Sequence, residues 1–228
     1  GDDKYIEGLH KIIEYYYSMG SERFYPNGIS IKFLLDTLEK SGRTDYYESA
    51  LAHFEKHVQK MLDTGLNYPP HEVIYEQTIV TPAVAFISEM GLVKKDPSYA
   101  EKVYQHIKTL DRFNGMQPDY HLNGIPIRYW DGFWFGKAAL FTDTLPHYWS
   151  CLTARSENDY SLLSGEEAYH TAAVRCIKNC LCLFFEDGAA SCAYDYPFST
   201  DGKMCEFFDE WANDQDFALY YAMQILEE

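Results

Sequence analysis

The chain has 228 residues, with 19 Lys and Arg against 35 Asp and Glu, a formal charge of −16. Apolar residues make up 46% and charged residues 24%, a globular balance that excludes a disordered chain. The acidity excludes a nucleic-acid-coating role and docking on anionic lipid, and the length suits one large domain burying roughly 70% of its unfolded surface.

Hydrophobic periodicity predicts helices almost throughout. Residues 3–19 place Ile6, Leu9, Ile13 and Tyr16 or Tyr17 on one stripe, and Gly20 ends it. Residues 28–40 carry Ile31, Leu34, Leu35 and Leu38, closed by Gly42. Residues 44–64 carry Tyr47, Leu51, Phe54, Val58, Met61 and Leu62 at three- and four-residue steps, with Thr44 as N-cap and Gly65 as C-cap. A fourth helix is expected over 71–90, apolar on most sides and kinked by Pro82. A fifth covers 97–112, with Pro97 in its first position.

Residues 115–141 mix Gly, Pro and aromatics without a period and read as a long ordered loop. Three further helices are expected over 144–156, 165–184 and 211–226, and 190–197 reads as a strand forming a small hairpin with 203–208. The fold class is therefore all-α, about eight helices in hairpins, in a single domain spanning 1–228 with a β-hairpin near 190–208. No apolar run approaches the length of a membrane span, and no signal peptide opens the chain. Gly1 reads as a residue left by tag removal, so secretion is not judged from this start.

The acidity is uneven. Residues 1–120 hold 13 basic and 18 acidic side chains, whereas 121–228 hold 6 and 17. That second part also holds all four Trp and all six Cys. Cys176 and Cys180, four apart, share a helical face with Ala172, Ala173, Ile177 and Leu181. They read as buried, reduced thiols, which suits the cytoplasm; the even count leaves a disulfide framework open. With no CxxC pair, no metal site or cofactor is expected.

Aromatic residues reach 17% of the chain, and the Trp fall beside acids in three short connections. The densest is Arg128-Tyr129-Trp130-Asp131-Gly132-Phe133-Trp134-Phe135-Gly136. The others are Asp143-Thr144-Leu145-Pro146-His147-Tyr148-Trp149 and Asp209-Glu210-Trp211-Ala212-Asn213-Asp214-Gln215-Asp216. Flat rings stack on the C–H faces of sugars while carboxylates, amides and imidazoles bind the hydroxyls, so a carbohydrate is the expected ligand. The plainer reading has the aromatics of 129–136 plugging the core, Asp131 capping a turn, and Asp143, Asp209 or Asn213 beginning helices. Glu76, beside Tyr75 and Gln77 in an apolar stretch, must pair or face a cavity.

These segments, at 129–136, 143–150 and 211–216, resemble those of the six-hairpin, (α/α)6-toroid glycosidase superfamily. The first is similar to the aromatic-glycine segments of unsaturated glucuronyl hydrolases. The resemblance covers roughly residues 70–228. It implies a toroid or partial toroid whose central cleft carries a catalytic Asp or Glu. A full toroid has twelve helices, so eight imply part of a larger protein or an incomplete ring. Exposed inner-helix edges would then call for a homodimer or a missing partner domain, such as one on the N-terminal side.

The leading expectation is a glycoside-hydrolase-like domain. Asp131 is the candidate acid, its pKa raised by an aromatic shell, and Asp214 the partner, with Asp143 and Glu76 in reserve. Trp134, Trp149 and Trp211 would form stacking platforms, Tyr129, Trp130, Gln77, His121 and His147 further substrate contacts, and Arg128 a partner for a uronate carboxylate. Two alternatives stand beside it. One is a non-catalytic carbohydrate-binding or scaffold module. The other is a toroid polysaccharide lyase, in which a Tyr or His abstracts the proton next to a uronate carboxylate; it calls for His121 or His147 beside a Tyr and a basic neutraliser, and the shortage of Lys and Arg counts against it.

Overall fold

The computed structural model describes residues 3–26, 30–65, 80–111, 143–147, 150–190, 193–196 and 216–227. Among these, eight α-helices follow one another: α1 (Asp3–Ser18), α2 (Ile31–Lys40), α3 (Thr44–Thr64), α4 (Thr81–Lys94), α5 (Ser98–Leu110), α6 (Ser150–Ser164), α7 (Glu167–Cys180) and α8 (Asp216–Glu227). Two short strands, β1 (Asp143–His147) and β2 (Ala193–Tyr196), complete the described elements.

Short connections turn α2 back on α3, α4 on α5 and α6 on α7, making helical hairpins. Alternate helices also meet: α2 packs on α4, α4 on α6, and α6 on α8. The result is a partial (α/α) toroid. Its inner helices are α4 and α6, of which α4 is buried continuously from Thr81 to Gly91. No helix among the described residues is long and apolar enough to cross a membrane.

Local chemistry explains most boundaries. Ser30 caps α2, its hydroxyl accepting from the Phe33 amide at 3.2 Å. Helix α3 has the predicted ends, and Gly65 closes it with φ 60°, its amide reaching Met61 O at 2.9 Å. The N-cap is Arg43 rather than Thr44, and Arg43 instead holds the first-turn Asp45 through bonds of 3.2 and 3.1 Å. Pro82 stands in the first turn of α4 rather than at a mid-helix kink, and the part of that prediction over 71–79 lies outside the described residues.

The largest correction falls on 143–147. The sequence reading begins a helix there, but the segment is a strand paired antiparallel with β2, and α6 starts only at Ser150. Proline biases the preceding residue, Leu145, toward extended backbone. Thr144 faces Asp195 and His147 faces Ala193, so Leu145 and Pro146 occupy a bulge where proline's missing N–H costs no ladder bond. The strand expected near 190–197 is present, but its partner is β1, and 203–208 lies outside the described residues.

Two apolar clusters hold the layers together. The larger joins α1 to α5 and includes Tyr160 of α6 and Tyr169 of α7, with Phe54 edge-on to Phe86 at 5.9 Å and Tyr17 edge-on to Phe54 at 5.9 Å. The smaller joins α6, α7 and α8 through Cys151, Ala154, Ala173, Cys176, Ile177, Cys180, Ala218, Tyr221, Ala222 and Ile225. Cys151, Cys176 and Cys180 are buried and not in disulfides, and Cys176 Sγ donates to Ser150 O at 3.1 Å. On the opposite side α8 leaves Leu219, Met223 and Leu226 exposed.

Gly91 lets α4 approach its neighbours closely. A Cβ there would lie 2.7 Å from Tyr99 Cβ on α5 and 2.8 Å from Leu163 Cδ1 on α6. Gly8 on α1 has nothing within 4 Å of the same position. Urea denaturation should therefore give opposite signs for two identical changes. Gly91→Ala should lose about 1–3 kcal/mol through overpacking, whereas Gly8→Ala should gain up to about 1 kcal/mol from helix propensity.

His57 of α3 is fully buried between Tyr17 OH at 3.0 Å from Nδ1 and Phe24 O at 2.7 Å from Nε2. Burial outweighs the Phe24 carbonyl and Glu22 and lowers its pKa from 6.5, and burial lowers that of His106 likewise. The unfolded chain then takes up these protons at a higher pH than the native one. Stability should be complete above about pH 6.5 and fall as pH drops from there through the lower native values. Thermal melts against pH should show this loss before the carboxylates titrate, with a shallower slope in His57→Gln.

Candidate functional site

The described residues enclose a cavity of about 420 Å³ where α2, α4, α6 and α8 meet, within the size range of small-molecule sites. Helix α2 and its cap supply Ser30, Lys32, Phe33 and Asp36, α4 supplies Glu89, and α8 supplies Gln224 and Ile225. Helix α6 supplies Arg155, Asn158 and Asp159, whose i, i+3, i+4 spacing places them on one face.

A buried charge network forms one wall. Arg155 Nη2 donates to Glu89 Oε1, and Arg155 Nε lies 3.5 Å from Asp159 Oδ2. Glu89 also accepts from Ser30 Oγ at 2.9 Å and from the Lys32 amide at 3.2 Å. The carboxylate thus sits at the N-terminus of α2, where the helix dipole favours negative charge, and faces a guanidinium from α6. Burial opposes the Arg155 charge, but Glu89 and Asp159 prevail and raise its pKa further, so it remains protonated. The Tyr221 ring lies 5.6 Å from the guanidinium carbon.

The other walls are polar and ordered. Asn158 Oδ1 accepts from His170 Nδ1 at 2.8 Å, which fixes the amide. Ser156 Oγ donates to Thr81 O at 3.0 Å and Leu152 O at 2.9 Å, tying α6 to the start of α4. Phe33 stands at the rim, 56% exposed, and Gln224 is exposed beside it. The arrangement offers carboxylates and amides for hydroxyl groups and an aromatic face for an apolar one. Among the described residues no group of three or more His, Cys, Asp or Glu is placed to hold a metal ion.

The residues that sequence reasoning singled out lie elsewhere. Glu76, Gln77, His121, Arg128, Tyr129, Trp130, Asp131, Trp134, Trp149, Trp211 and Asp214 all fall outside the described residues. Asp143 and His147 are placed by their backbone at the two ends of β1, opposite Tyr196 and Ala193. Strand β1 packs against α7 and the 3₁₀ turn Leu181–Leu183.

The cavity residues were missed, although the signal was present. Glu89 is the only charged residue between Glu76 and Lys94. An acid in so apolar a stretch must pair or face a cavity, and this holds for Glu89 as directly as for Glu76.

The chain matches a polysaccharide lyase with a TM-score of 0.87 and 42% sequence identity, over 99% of this chain and 34% of that one. The two share one fold. The chain spans about a third of the length of that lyase. No protein-family model matches the chain, and no curated protein does.

Removing one partner of the Glu89–Arg155 pair leaves the other buried and charged, a cost of about 3–5 kcal/mol. Arg155→Met should lower unfolding free energy by that order in urea titrations. Adding Glu89→Met should restore part of it, because the second change removes the stranded carboxylate.

Proposed function

We propose that the chain forms the helical part of a polysaccharide lyase that cleaves a uronate-containing polymer by β-elimination. The observation that carries this reading is the 42% identity to a polysaccharide lyase along nearly the whole chain. Elimination requires an acidic C–H next to a carboxylate, which is why a uronate is the substrate class. A base removes the C5 proton, the electron pair forms the C4–C5 double bond, the C4–O bond breaks, and the leaving oxygen takes up a proton.

On this reading His121 or His147 is the base, and Arg128 pairs with the uronate carboxylate, making the C5 proton easier to remove. Trp130, Trp134, Trp149 and Trp211 serve as stacking platforms. The scarcity of basic residues after position 120 counts less heavily here than it does for a polyanion-coating protein, because one arginine suffices to neutralise the reacting carboxylate.

The test is product analysis on uronate polysaccharides. New chain ends should carry the ultraviolet absorbance of an unsaturated uronate. Replacing the base, His121→Ala or His147→Ala, should lower the rate by about 10²–10⁴-fold while Asp131→Asn leaves it largely intact. New reducing ends without unsaturation, abolished by Asp131→Asn or Asp214→Asn, would instead establish hydrolysis.

A further inference from the structure

The cavity between α2, α4, α6 and α8 has a charge pattern that says what it accepts. Its described lining contains two cations, Lys32 and Arg155, and three acids, Asp36, Glu89 and Asp159. Arg155 is already engaged by Glu89 and Asp159. Glu89 is in turn held by Ser30 and the Lys32 amide. Asp36 and Lys32 remain and offset each other in charge, so the described lining carries one net negative charge. An anionic ligand entering here meets a field that is neutral to negative, over distances shorter than the screening length of about 8 Å.

The remaining lining suits a sugar ring. Phe33 presents an exposed aromatic face at the rim. Asp36, Asn158 and Gln224 supply carboxylate and amide groups that exchange hydrogen bonds with hydroxyls. The Asn158 amide is held in place by His170. An ordered polar wall opposite an aromatic rim is what orientation of a hydroxylated ring requires.

From this geometry we infer that the cavity is a saccharide subsite for an uncharged sugar unit, one that discriminates against uronates. It rests on the reading of the chain as carbohydrate-active and adds to it the composition of the substrate. The polymer would carry neutral sugars as well as the uronate at which elimination occurs, the neutral unit being held by α2, α6 and α8.

The experiment is titration calorimetry or ligand-observed NMR on the chain. The probes are methyl glucoside and methyl galactoside, each beside the uronide that replaces its CH₂OH with a carboxylate. At least one neutral glycoside should bind, and its uronide should bind about tenfold more weakly. Phe33→Ala, at a rim position where folding is not at risk, should weaken the neutral glycoside about three- to tenfold. Asp36→Asn should narrow the gap between the two members of a pair.

Equal or tighter binding of the uronide would overturn the inference, as would indifference to Phe33→Ala or failure of all four probes to bind. If unsaturated products form from a uronate polymer while the glycosides fail to bind, the subsite inference fails and the lyase reading survives. If the neutral glycoside binds as stated and no unsaturated product forms from any uronate polymer, the lyase reading fails and the subsite stands.

Discussion

The buried pair between Glu89 and Arg155 is the interaction on which the architecture turns. It joins three helices at one point: the start of α2, the middle of α4 and the middle of α6. Charges removed from water are stable only when matched and hydrogen-bonded. Here the carboxylate has a hydroxyl, a backbone amide and a guanidinium, and the guanidinium has a second carboxylate in Asp159. Hydrophobic packing alone is non-directional and would tolerate sliding of one helix past another. The ion pair fixes the register of α2 and α6 on α4, and with it the shape of the cavity they enclose.

That role accounts for the unusual character of α6. It buries Ser150, Thr153, Arg155, Ser156, Glu157, Asn158, Asp159 and Ser161, more polar groups than a helix interior to a domain commonly carries. Ser156 answers to α4 and α6 carbonyls, Asn158 to α7, and Arg155 to α4. The apolar clusters lie to either side, one reaching from α1 to α5 with Tyr160 of α6 and Tyr169 of α7, and the other joining α6, α7 and α8. Helix α6 therefore works as a polar seam between two apolar bodies. A seam of this kind can present fixed hydrogen-bonding groups to a ligand without loops having to rearrange.

Much of the helical frame was legible in the sequence because stripe periodicity records burial directly. The 44–64 helix is the clearest instance, with Phe54, Val58 and Met61 buried as their spacing requires. Tyr17, Tyr160, Tyr169 and Tyr221 are buried within the helical packing, so part of the aromatic surplus is ordinary core. Periodicity failed at 143–147, where Pro146 suggests a helix start when read alone but stands in a strand bulge once β2 is its partner. Such pairing joins residues about fifty positions apart, and local pattern does not encode it. Apart from Glu89, the cavity lining was illegible for a similar reason: Arg155, Asn158 and Asp159 resemble a solvated helix face, and the approach of neighbouring helices buries them.

The aromatic-acidic segments and the cavity divide the chemistry between them in this account. On the proposed reading Arg128 would supply the cation and His121 or His147 the base for elimination, while the cavity beside α6 would hold the neighbouring sugar. The most direct measurement of the central claim, elimination rather than hydrolysis, is cleavage of a uronate polysaccharide in water enriched in heavy oxygen, with mass analysis of the fragments. Elimination adds no water across the broken bond, so the account predicts unsaturated fragments without solvent oxygen at the new ends. Saturated fragments carrying one heavy oxygen per cleavage would contradict it.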